Sequence, residues 1–126
     1  MNTTRCPCLS GQTYDECCGR LHRGESRAST AEILMRSRFS AFAVGDADYL
    51  RRTWHPTTRP PELVLDDDVR WYRLDVLAKS DGGRLDATGT VEFRAFFRAP
   101  SGAGSQHEVS RFVCADGQWL YLDAIG

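Results

Sequence analysis

Thr88-Gly89-Thr90-Val91-Glu92-Phe93-Arg94-Ala95-Phe96-Phe97-Arg98 reads with a period of two across its middle, the signature of a strand whose two faces differ. Val91, Phe93, Ala95 and Phe97 share one face, and Glu92 and Arg94 take the other, so the first face is expected to meet a core. The same period returns in 70–78, 106–115 and 119–123, all rich in β-branched and aromatic residues. Ser80-Asp81-Gly82-Gly83, Pro100-Ser101-Gly102-Ala103-Gly104 and Asp116-Gly117 separate these runs. Asp-Gly between alternating strands predicts a two-residue hairpin.

Upstream the period changes. Ala31 to Val44 is helical in pattern, with Ser29 or Thr30 placed to cap it, Glu32 in its first turn and Gly45 at its end. Asp46 is placed to cap a shorter helix through Tyr49, Leu50 and Arg52 to Trp54, which His55-Pro56 stops. Residues 57–68 read as a loop, with room for one helical turn before Leu65. Helices followed by an antiparallel sheet give an α+β architecture. A curved sheet wrapped on a long helix makes a cone with a pocket.

Composition sets wide bounds. The chain has 126 residues, 41% of them hydrophobic, and a formal net charge of −1. That suits a packed fold and supplies no global basic field for nucleic acid. No apolar run is long enough to span a bilayer, and MNTTRCPC lacks the apolar stretch of a signal peptide. The expected location is therefore cytoplasmic, without membrane contact. In that reducing compartment, four of five cysteines crowded between positions 6 and 18 favour metal over disulfides.

Cys6-Pro7-Cys8-Leu9-Ser10-Gly11-Gln12-Thr13-Tyr14-Asp15-Glu16-Cys17-Cys18-Gly19 can bring four soft donors to the corners of a tetrahedron around Zn²⁺. Gly11 and Gly19 are expected to supply positive φ at tight turns. Tyr14 is placed to pack over the module. Adjacent cysteines diverge on a regular helix or strand, so Cys17 and Cys18 both ligate only at a turn or helix end. His22 is the alternative ligand if a helix starts there. Four thiolates describe a closed, structural site; thiol redox through Cys17-Cys18 is the rival reading.

Several polar residues fall where a core is expected. On the first helix Arg38 shares an arc with Ala31, Leu34 and Phe42, whereas Arg36 points to the opposite, solvated side. A buried guanidinium needs an acceptor. Glu108 and Ser110 share a strand face with Phe112 and Cys114. Arg38 and Glu108 therefore form either a buried ion pair or the polar end of a ligand pocket. Trp54 and His55 complete the candidate set, with His55 either satisfying helix-end carbonyls or serving the pocket. His107 suits exposed cross-strand pairing, Trp71, Trp119 and Tyr121 suit the sheet core, and Cys114 reads as a small buried hydrophobe. No nucleophile elbow, phosphate loop or HExxH is present, so no reaction class is specified.

Cys-Pro-Cys, the Ser10-Gly11 pair, Tyr14 and Cys17-Cys18 together resemble the SEC-C motif, a zinc-binding motif in which glycine is frequent where Leu9 stands. Adding Ala31 through Phe42, Thr53-Trp-His-Pro56, His107 through Phe112 and Gly117-Gln-Trp119-Leu-Tyr121, the chain resembles the bacterial YchJ-like family. That resemblance implies a zinc module over 1–22, a linker over 23–29 and a cystatin-like cone, similar to nuclear transport factor 2, over 30–126. It supplies no substrate. The expected function is a zinc-binding adaptor whose module, with its Arg5, Arg20 and Arg23 collar, contacts a protein or ribosomal partner. Plain charge compensation for the thiolates is the alternative for that collar. A small molecule in the cone at Arg38, Glu108 and Ser110 is the alternative function. Pairing of two cones through their sheets is a further expectation from fold analogy.

Overall fold

The computed structural model describes residues 4–125. Its elements run α1 (Cys18–His22), α2 (Ala31–Val44), α3 (Ala47–Arg52), β1 (Arg70–Asp81), β2 (Thr88–Ala99), β3 (Gly102–Ala115) and β4 (Gln118–Ala124). The expected outer bounds, residue 1 of the zinc module and residue 126 of the cone, lie outside the described residues.

The four strands form one antiparallel sheet in the order β1-β2-β3-β4. Asp116 and Gly117, at φ 53° and 76°, close the last hairpin as a turn with two left-handed residues, the twist that matches the flanking strands. The preceding hairpin is tighter than its composition suggested. Ala99 pairs with Gly102, so only Pro100 and Ser101 turn and Gly102–Gly104 join β3. Gly104 is small for a packing reason, since a Cβ there would lie 2.9 Å from the Phe97 ring. In the long connection between α3 and β1, residues 57–68 form no helix.

β1 carries two bulges, one between Trp71 and Arg73. Trp71 and Leu74 are an odd number of residues apart and would otherwise point to opposite faces; the inserted residue brings both to the core. That core joins Leu34, Met35 and Phe39 of α2 to Leu74, Val91, Phe93, Ala95, Phe112 and Trp119 of the sheet.

α2 starts where Thr30 accepts the Ile33 N–H at 3.1 Å, and it ends at Gly45 with φ 80°. Such a cap is worth about 1 kcal/mol. Asp46 caps α3 by accepting the Tyr49 N–H, and α3 ends at Arg52 rather than continuing to Trp54. The chain beyond it instead runs beside β4: His55 N–H donates to the Tyr121 carbonyl and Tyr121 N–H to that of Thr53, both at 2.8 Å. The edge of the sheet is thereby covered.

α2 is buried on more than one side. Besides its sheet-facing residues, Ser37, Ser40 and Ala41 are fully buried. The cysteine-rich tail and α3 cover this second flank.

Candidate functional site: a metal centre and a cone cavity

The tail folds back on itself between Arg5 and Thr13, which form an isolated antiparallel bridge. Cys17 is the residue before the first turn of α1 and Cys18 is the first residue in it. This helix end lets the adjacent side chains converge. The sulfurs of Cys6, Cys8, Cys17 and Cys18 all lie within 4.8 Å of one another. Cys8 and Cys17 are separated by 3.6 Å, and Cys17 and Cys18 by 3.9 Å. A zinc tetrathiolate with bonds of about 2.3 Å has tetrahedron edges of about 3.8 Å. The donor set and its spacing fit a zinc ion, which would serve there as a structural cross-link.

Neighbouring hydroxyls support the sulfurs. Ser10 donates to Cys17 Sγ at 3.2 Å, and Ser40 of α2 lies 3.5 Å from Cys6 Sγ. The sulfurs are close enough to share protons. Hydrogen bonds from the Cys18 and Cys8 thiols hold Cys6 far below the usual thiol range. Cys18 is driven far up by its hydrogen bonds to Cys6 and Cys8 and by burial. The Cys18 thiol pulls Cys8 down, but its hydrogen bond to Cys6 and its burial outweigh that and push it up to about 11. Metal uptake must displace such protons and therefore weakens in acid.

Gly19 has a role other than the expected positive φ. It lies inside α1, where its N–H donates to the Tyr14 carbonyl at 2.7 Å. A Cβ there would stand 2.6 Å from that same oxygen. Gly11 does have the expected positive φ, at 88°, and Leu9 is a second left-handed residue of the loop, at φ 68°.

His22 is not placed as a ligand. Its Nε2–H donates to the Ser37 carbonyl at 2.8 Å, leaving Nδ1 to accept from the Tyr14 hydroxyl. Both nitrogens are committed, Nε2 to α2 and Nδ1 to Tyr14 within the module. Arg36, expected to be solvated, also serves this contact: it donates to the Cys8 carbonyl at 3.0 Å while pairing with Glu32. Arg52 of α3 donates to the His22 carbonyl at the end of α1. Within the basic collar, Arg23 pairs with Asp15 and Glu25, and Arg5 donates to the Gly11 carbonyl. The stretch read as a linker carries the buried anchor Ala28.

Across α2 lies a cavity of about 220 Å³. Met35, Phe39 and Phe42 of α2 form one wall, and Trp71, Phe93, Ala95 and Phe112 of the sheet another. Arg38, Trp54, Gln106, Glu108, Ser110 and Tyr121 complete it. Four of the five pocket candidates therefore meet. His55 does not line it. Its Nδ1 accepts from the Thr57 hydroxyl at 2.7 Å and the Thr57 N–H at 3.2 Å, because the turn at Pro56 folds Thr57 back onto the ring. The α3 carbonyls of Tyr49 and Arg51 take backbone N–H groups of Thr53 and Trp54 instead.

The expected Arg38–Glu108 ion pair does not form among the described residues. Arg38 is only 5% exposed, and its Nη1 donates to the Leu50 carbonyl and Thr53 Oγ1, each at 2.7 Å. Its guanidinium carbon sits 5.2 Å from the Trp54 ring centroid and 4.6 Å from that of Tyr121. Glu108 Oε2 accepts from Ser110 and, at 3.5 Å, from Tyr121. The end of α3 and the neighbouring hydroxyls have taken up the two groups separately. Burial pulls Arg38 down to about 10, still charged at neutral pH. Burial, followed by the nearby Glu108, pushes Tyr121 up to about 12, so its hydroxyl stays a donor.

Elsewhere His107 pairs with Glu92 across the exposed sheet face at 2.6 Å, Trp119 is buried, and Cys114 is half-buried against the core. Sequence reasoning missed Arg36, Ser40 and Arg52 as supports of the metal module. The signal was Ser37 and Ser40: small polar residues beside Phe39 and Ala41 mark a second buried flank.

A four-stranded cone backed by one long helix, with a tetracysteine clasp on the far side of that helix, defines a SEC-C-bearing protein with a nuclear-transport-factor-2-like domain. Residues 30–124 match the family model described as the YchJ middle NTF2-like domain, and residues 3–20 match the SEC-C motif. The chain belongs to the YchJ family. A UPF0225 protein of Streptomyces coelicolor is 53% identical over 98% of this chain and 96% of its own length. One from Corynebacterium efficiens is 55% identical over 93% and 89%. Among solved structures, a SEC-C motif containing protein from Rhodopseudomonas palustris superposes with a TM-score of 0.82 at 37% identity, covering 100% of this chain and 98% of that one. One from Psychrobacter arcticus gives 0.78 at 30% identity, covering 97% and 82%. Among the described residues no helix is long and apolar enough to cross a membrane.

Proposed function

We propose that this chain is a zinc-stapled small-molecule-binding protein: the tetrathiolate fixes α2, and α2 forms one wall of a cone that receives a ligand. The observation carrying this reading is Arg38. A buried charge without a contacting counter-ion is expensive, and a core built for stability replaces it with a hydrophobe. Here it lines an aromatic cavity and, among the described residues, hydrogen-bonds through only one of its nitrogens. The test is ligand-observed NMR on zinc-loaded protein with small fragments of mixed charge, reading the Trp54 and Trp71 indole signals. Fragments that move both signals support the reading; a library that moves neither removes it.

A second reading, the adaptor, has its own observation. Leu9 is 56% and Ile33 40% exposed, and a hollow near the cysteines is lined by Ile33, Arg20, Arg27 and Arg36. Such a basic, partly apolar surface suits an acidic protein or a ribosomal partner. Co-sedimentation with purified ribosomes, abolished by Leu9→Ser with Arg20→Glu at unchanged zinc content, supports the ribosomal form. Absence of co-sedimentation eliminates it.

A further inference from the structure

We infer that the cone selects a small aromatic monocarboxylate, whose carboxylate meets the Arg38 guanidinium and whose ring lies among Phe39, Trp71 and Phe112. This rests on the reading of the cone as a binding site and adds the chemistry of what enters it.

Size sets the first limit. The cavity of about 220 Å³ is smaller than the roughly 300–1,000 Å³ of drug-sized sites, while a cavity of about 150 Å³ admits benzene. One ring with a short carboxylate arm is the matching scale. Hydrogen bonding sets the second. Arg38 engages two acceptors through Nη1, and among the described residues its Nε and Nη2 have no hydrogen-bond partner. Trp54 lines the same cavity with its ring, while its indole Nε1–H is sealed from the cavity and has no partner among the described residues. A guanidinium is a donor only, so the ligand must bring acceptors. A carboxylate offers two in the plane that a guanidinium edge fits.

Charge sets the third limit. Glu108 lines the same cavity, and its hydrogen bonds engage Oε2 alone. A second negative charge on the ligand would face this carboxylate, which disfavours dicarboxylates, inorganic phosphate and phosphate esters. The remaining lining is mostly aromatic, which favours a planar apolar body over a sugar.

The experiment uses zinc-loaded full-length protein and calorimetry with 3-phenylpropionate, its amide, its amine analogue and phenylsuccinate, with tryptophan fluorescence as a second readout. The monocarboxylate is expected to bind at least about 10-fold more tightly than the amide, since the charge-assisted pair is the difference between them. Arg38→Met should abolish that preference. Arg38→Lys, which keeps the charge and guards against a folding failure, should weaken binding several-fold. Glu108→Gln should narrow the gap between phenylsuccinate and 3-phenylpropionate. Amide or amine binding as tight as the carboxylate, or carboxylate binding unchanged in both Arg38 variants, overturns the ligand class while leaving a binding cone. If no probe moves Trp54 or Trp71, the binding reading falls with it.

Discussion

α2 separates two polar centres that are finished to different degrees. On one flank the cysteines have hydroxyl support from Ser10 and Ser40, and His22, Arg36 and Arg52 each complete a bond that locks the module to its neighbours. On the other flank Arg38 and Glu108 share a cavity without meeting, and among the described residues Arg38 hydrogen-bonds through Nη1 alone. Buried groups whose bonds are complete specify a structure. Buried groups left incomplete beside open space await something from outside.

The largest effect should come from the finished flank. Cys8→Ser, or a strong chelator, removes the cross-link and exposes the flank of α2 that holds Ser37 and Ser40. The loss should be about 3–5 kcal/mol of stability with zinc content falling from one equivalent, read by thermal melts and metal analysis. Because α2 walls both centres, the near-ultraviolet signal of Trp71 should change as well. A cone that melts unchanged would separate the two centres that the geometry joins.

His22→Gln is expected to cost about 1–3 kcal/mol while retaining zinc, since it disturbs one buried and one half-buried hydrogen bond and no ligand. Burial lowers the His22 pKa below its usual 6.5. The unfolded chain then binds the proton more readily, so His22 contributes stability that is present above pH 6.5 and declines as pH falls from 6.5 toward its lower folded value. Melts at saturating zinc should show a steeper decline across that window in the wild type than in the variant, because both share the proton dependence of the thiolates. Equal pH slopes would place the ring in water.

Arg38→Met should behave in the opposite manner. Removing an incompletely paired buried charge leaves the melting temperature level or higher, within about 1–2 kcal/mol, while ligand binding is lost. A collapse in stability would make Arg38 a structural member and put the two flanks on the same footing.

Period and spacing are local, and what depends on them was legible: the alternation through Val91, Phe93 and Ala95, the caps at Thr30 and Asp46, the Asp116-Gly117 turn and the convergence of four cysteines. Glu108 and Ser110 were readable as cavity residues because a strand assigns its faces by parity. What failed depended on who arrives second. Arg36 looked solvated because nothing in a helical projection says that the Cys8 carbonyl will dock there. Arg38 and Glu108 looked like a pair because both were buried and opposite in charge, yet Thr53 and Leu50 reach the guanidinium along α3 and Ser110 occupies the carboxylate. His55 looked like a cap for helix-end carbonyls or a pocket group, yet the turn at Pro56 brings Thr57 onto its ring.

The smallest effect concerns Leu9, on the surface of the finished flank. Its φ of 68° is a conformation that an L-residue occupies at a cost of about 1–2 kcal/mol, and its side chain recovers little of that, being more than half exposed. Glycine removes the strain but adds roughly 0.5–1 kcal/mol of unfolded-chain entropy. Leu9→Gly should therefore raise stability by about 0.5 kcal/mol with zinc content unchanged, a shift detectable in denaturant melts of matched samples. If stability rises as expected, the strain at Leu9 does not serve folding, and the exposed side chain becomes the first residue to test against a partner. If stability falls instead, Leu9 packs more firmly than its exposure indicates, and that surface belongs to the clasp itself.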